Sequence, residues 1–342
     1  MRQIITMATT HLDMHNEIIS KEALEGAANQ INSDRKPIFT VEHDTALPPI
    51  GKVLRAWIEP LEDSEYQLLA EVEIFEKDDP LMLPDGSQGL VRQSNTDHHP
   101  FVSKEENVPE QITLKVDHAN FASQEEYEAF IEDLHRDSSL PFQTQLIGRK
   151  AYIPDVEAII TLGRELLAYL AFRKIIDKFG DKASDKLSDE LSNEAVSFYI
   201  WVKTTAIKLA KYTVPKNYPI TYVFSVPINP HVELVARTSD ASEVAASIME
   251  DNLEKPLKQA MEFRDRLGAE SVQYLLDKTG EWKFNYLLTN KGKVIGTRKS
   301  FSRKARQIDF PISANLTTTG TNRPRQYLGK ARRKNRRGKR KP

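Results

Sequence analysis

His43 stands in FTVEHDTALPPIGKVLRAWIEP, residues 39–60, inside an apolar run that a double-proline turn closes and a second apolar run follows. An imidazole titrates near neutrality, so the placement suits either a general base or a polar residue closing a hairpin. Two more histidine groups flank it: His11, Asp13 and His15 near the start, and Asp97, His98 and His99 in TDHHP. Imidazole and carboxylate ligands suit a divalent ion. The spacing matches no metal motif, however, and adjacent histidines in a polar loop are ordinarily solvated, so no metal site is expected. The chain has no cysteine, which removes thiolate ligands, disulfides and a cysteine nucleophile. It has no Walker A loop, no Rossmann glycine fingerprint and no GxSxG elbow, and no cofactor is expected.

The other chemically distinctive residues are cations. Arg332, Arg333, Lys334, Arg336, Arg337, Lys339, Arg340 and Lys341 crowd the last eleven positions. Such a cluster suits phosphates, whose counterions it would release, and Tyr327 nearby suits base stacking. An acidic protein surface is an equally natural partner, and so is a simply solvated tail. From Thr297 onward there are 16 Lys and Arg against one acid, Asp309, a net of +15; the whole chain is at −1, so the rest carries −16.

These residues need elements to hold them. RQIITM has strand composition, and SKEALEGAANQIN reads as a helix with Ser20 as its N-cap. KPIFTVEHD and GKVLRAWIEP read as strands, and SEYQLLAEVEIFE supplies a third β-rich run. Residues 77–111, rich in Pro, Gly, Asp and Ser, read as a long loop. QITLKVDHANF then reads as a strand, and SQEEYEAFIEDLHRD as a helix capped by Ser123, with Glu126 at the capping-box position. In the second block, IPDVEAIITLGRELLAYLAFRKIIDKFG reads as an amphipathic helix stopping at Gly180, and residues 184–213 as another. YPITYVFSVPI and HVELVART are strands. SDASEVAASIMEDNLEKPLKQAMEFRDRLG is helical, with Pro256 expected to kink or split it. ESVQYLLD, EWKFNYLLT and GKVIGTRK, joined by KTGE and NKGK, predict a meander. Tyr199, Trp201, Tyr222, Phe224, Trp282, Phe284 and Tyr286 fall at core spacing. The last thirty residues have almost no apolar content and should not fold alone.

The first eighty residues resemble the phage prohead (head-maturation) serine protease superfamily, in particular its phage serine-protease branch. THLDMHNEIISKEALEGAANQI is similar to the family's opening strand, acidic turn (here Asp13 and Glu17) and helix. FTVEHDTALPPIGKV is similar to the strand bearing its catalytic histidine, and LRAWIEPLEDSEYQLLAEVEIFE to the hairpin that follows. The resemblance implies a small β-barrel and a Ser–His nucleophilic pair. It makes His43 the base and places the nucleophile some forty residues on, where LPDGSQGLVRQSNT offers Ser87 after Gly86 and, second, Ser94. Neither serine lies in a Gly-x-Ser apolar strand of the family's type, and Asp-Gly-Ser is a common turn sequence.

The sequence thus predicts an α+β protein. A β-barrel-like protease-like module covers residues 1–120, an α+β domain with an antiparallel meander covers 150–300, and a disordered basic tail covers 313–342. The leading expectation is a phage-derived or phage-facing protein with a degenerate, non-catalytic recognition module and a polyanion-binding tail. The alternatives are an active serine endopeptidase and a nucleic-acid-binding protein acting through its tail. A protein partner or substrate is expected, along with a cytoplasmic location and no membrane span.

Overall fold

A computed structural model describes residues 1–11, 18–40, 44–102, 108–117, 120–147, 156–167, 185–214, 216 and 218–303. The chain is α+β, and two sheets organise it. The small sheet holds β1 (Arg2–Thr9), β2 (Ile38–Phe39), β3 (Gly51–Pro60) and β4 (Tyr66–Ile74), in the order β1-β4-β3-β2 with every pair antiparallel. Helix α1 (Lys21–Ile31) covers one face. Ser20 caps it by accepting from the Ala23 amide, satisfying one of the donors a helix start leaves open. Leu24, Ala28 and Ile31, at helical spacing, pack on Val53, Ala56, Leu68, Ala70 and Val72. The edge strands β1 and β2 do not pair with each other. Among the described residues these four strands form one antiparallel sheet.

The large sheet has ten strands: β5 (Asp79–Met82), β6 (Gln88–Gln93), β7 (Ile112–Asp117), β8 (Phe142–Ile147), β9 (Glu157–Thr161), β10 (Ile220–Val226), β11 (His231–Thr238), β12 (Ala269–Leu276), β13 (Trp282–Thr289) and β14 (Lys293–Gly296). Their order is β5-β6-β14-β13-β12-β11-β10-β9-β7-β8. The β12–β13–β14 meander is antiparallel throughout. The pairs β7–β8, β9–β10 and β11–β12 are parallel. Each parallel pair needs a crossover; α2 (Gln124–Asp137) joins the first, and α4 (Ala241–Ser247) with α5 (Glu250–Leu267) joins the third. Between β9 and β10 lies α3 (Asp185–Tyr212), and α6 (Arg298–Phe301) follows β14. Helices α2 to α5 bury one face of the sheet. Phe130, Leu134, Trp201, Val202, Leu209, Val244 and Phe263 meet Leu114, Ile160, Phe224, Leu234 and Leu287 there. Each such buried side chain contributes about 1.5–3 kcal/mol.

Three expectations change. Residues 77–111 contain the hairpin β5–β6, which joins the large sheet through β14; its Asp85-Gly86 turn and prolines mask two short strands. The run Glu157–Thr161 is a strand between β7 and β10, not the start of a helix, because a short apolar run carries no period that separates a buried strand from a buried helix. The helix after Asp240 does split, but at Ile248–Met249, and Pro256 lies inside α5. The division between sheets falls after β4, so β5, β6 and β7, all within the first 120 residues, belong to the larger one. Residue 180, the basic tail and its cations lie outside the described residues.

Candidate functional site

His43, Asp13, His15 and Glu17 lie outside the described residues. Ser87 sits in the β5–β6 turn, where Gly86 takes a φ of 82°. Its hydroxyl donates to Asp85 Oδ1 at 2.6 Å, and its amide donates to the same oxygen at 2.9 Å. Ser94 is 0% exposed. Its hydroxyl donates to Glu73 Oε2 at 2.8 Å and accepts from the Thr96 and Asp97 amides at 3.1 and 2.8 Å. Asn95 N and Thr96 Oγ1 also donate to Glu73. Burial opposes ionisation of Glu73, but these donors outweigh it and hold the carboxyl below the usual range.

Opposite Glu73 in register stands Lys52, itself 0% exposed. Its ammonium donates to Asp97 O at 3.0 Å, Asp97 Oδ1 at 3.1 Å and His99 O at 2.7 Å, and lies over the Phe101 ring. Burial lowers the Lys52 pKa, and Asp97 opposes that shift. His99 contacts Asp97 Oδ2 at 3.2 Å, so this histidine group belongs to a structural clasp. Among the described residues, no group of three or more His, Asp or Glu side chains could hold a metal.

The residues that follow His43 lead to a richer place. The face of the large sheet opposite the helices is polar and buried at its centre. Thr113, Thr161, Ser225, Glu233, Gln273 and Tyr286 stand in register across six strands, β7 to β13, and all six are buried. The turn at 44–46 docks beside this belt. Asp44 Oδ1 pairs with Arg237 Nη2 at 3.1 Å, and Arg237 Nε donates to Thr221 at 3.0 Å. Thr45 donates to Glu157 Oε2 at 2.8 Å. Gln273 Nε2 donates to Thr45 O at 2.9 Å and Glu233 Oε2 at 3.0 Å. Asn285 Nδ2 reaches Ala46 O at 2.9 Å and Gln273 Oε1 at 2.7 Å, and Arg303 Nη1 donates to Asn285 Oδ1 at 3.0 Å. Burial lowers the Arg303 pKa, opposed by the Asp44 charge.

The sequence reading missed this belt, although its signal was present. ITYVFSV and HVELVART alternate, with Thr221 and Ser225, then His231, Glu233 and Arg237, on one side. The aromatic expectations hold for Trp201, Tyr222, Phe224 and Trp282, which are buried in the helical core, while Tyr199 and Phe284 pack against it half-buried. Tyr286 instead lies across the sheet with Phe101, Leu288 and Val294. No helix among the described residues is long and apolar enough to cross a membrane. Comparison with protein-family models, curated proteins and solved structures gives no match.

Proposed function

We propose that the chain is a binding protein of phage kinship: a degenerate, non-catalytic protease-like module recognises a protein partner, and the basic tail contacts nucleic acid or another polyanion. The kinship rests on the sequence likeness of the first eighty residues, whose described elements run β1, α1, β2, β3, β4. Closure of these strands into a barrel belongs to the same proposal.

One observation carries the non-catalytic reading: both candidate nucleophiles donate their hydroxyl protons to carboxylates, Ser87 to Asp85 and Ser94 to Glu73. A serine attacks only when a base takes that proton. A hydroxyl committed to an ionised carboxylate below the histidine range is poorly placed to hand it to an imidazole. Ser94 also accepts two backbone amides, which fixes its lone pairs in the loop.

A fluorophosphonate probe with peptide mapping tests this. The expected result is no adduct on Ser87 or Ser94. An adduct on either, lost in His43→Ala, overturns the reading and makes the chain a serine endopeptidase.

A further inference from the structure

The polar belt contains a serine–imidazole contact that the recognition reading does not use. Phe224, Val226, Val232 and Leu234 take the helical side of β10 and β11, so Ser225 and His231 face the belt. Ser225 Oγ lies 3.3 Å from His231 Nε2. Beside Ser225 on parallel β9 stands Thr161. It is 1% exposed, and its hydroxyl has no hydrogen-bond partner among the described residues. A buried hydroxyl left in this state is unfavourable, so the position calls for a water or a ligand's polar atom. On the other side of Ser225, in register, is Glu233, two residues from His231 along β11.

We infer that Ser225 and His231 form a nucleophile–base pair for acyl transfer from a small ester or amide, with the Thr161 hydroxyl donating to the carbonyl oxygen. The Ser225 Oγ–carbon bond forms as the hydroxyl proton passes to His231 Nε2. The oxyanion collapses, the carbon–oxygen or carbon–nitrogen bond to the leaving group breaks, and His231 returns the proton to that group. Water then attacks the acyl carbon, giving a proton to His231. The bond to Ser225 breaks, the acid leaves, and Ser225 recovers its proton. Ser225 is 6% exposed and His231 2%. That burial restricts the substrate to a small acyl group and strengthens fixed donors and charges at the site.

Because the chain has no cysteine, Ser225→Cys introduces a single thiol that reports on both access and activation. With folding verified by circular dichroism, iodoacetamide should alkylate native Ser225→Cys at neutral pH about tenfold faster than a free thiol, and adding His231→Gln should abolish the excess. In the wild type, the fluorophosphonate adduct should map to the peptide containing Ser225. Alkylation only after denaturation, or a rate indifferent to His231→Gln, overturns the inference. If Ser225→Cys does not fold, wild-type mapping decides, and no adduct at Ser225 overturns it. An adduct at Ser87 or Ser94 bears only on the protease reading.

Discussion

Lys52 and Glu73 face the 94–99 segment with opposite charges, and that segment answers both. Its carbonyls and the Asp97 carboxylate take the ammonium, while its amides and hydroxyls take the carboxylate. A buried ion pair adds little net stability over an apolar replacement, but removing one partner strands the other. Lys52→Met should therefore cost about 3 kcal/mol, read as a lower urea midpoint at unchanged slope. The carboxylates also set an acid limit. Glu73 and Asp97 titrate below their ordinary values when folded, so the unfolded chain binds more protons over that interval and stability rises with pH there. Their contribution is fully present above the ordinary carboxylate range and is lost as pH falls through the depressed folded values. Glu73→Gln should flatten the acid limb of urea midpoint against pH. A limb of unchanged slope would remove Glu73 from this account.

At the scale of elements, what was legible was local. Ser20 and Ser123 accept from the amides three residues on, as their spacing announced, and the 28-residue α3 and the meander read directly from period and turn chemistry. What failed depended on partners distant in sequence. EAIIT is a strand because β7 and β10 flank it, and no residue within it says so. The belt was hidden for the same reason: Ser225, Glu233 and Gln273 become neighbours only through strand order. The β13–β14 turn shows such a dependence at one residue. Gly292 has a φ of 65°, and a Cβ there would lie 2.2 Å from His99 O and 2.5 Å from Lys52 Nζ. Both the left-handed backbone and the clasp demand glycine. Gly292→Ala should cost about 1–3 kcal/mol for the backbone strain alone, with more from the contact. Gly280, equally left-handed with nothing within 4 Å, is the control: Gly280→Ala should show the strain without the contact. Equal melting shifts in the two variants would mean that the clasp yields freely.

Over the whole molecule, charge is divided more sharply than structure. The +15 carried from Thr297 onward and the −16 carried before it would cancel in any measurement that reads net charge alone, so the test must separate them. The eight cations from Arg332 to Lys341 can neutralise up to about eight phosphates, which predicts a log–log dependence of duplex affinity on salt with a slope near −7. Such binding would be indifferent to sequence, because phosphates carry none. Deleting residues 323–342 should abolish retention on a duplex DNA column at low salt while leaving the urea midpoint of the folded body unchanged. The body alone is strongly acidic and should be repelled by the column. Retention that survives the deletion would place the polyanion contact elsewhere. A shallow slope near −2 in the intact chain would mean that most of these cations meet something other than phosphate, with an acidic protein surface the natural replacement.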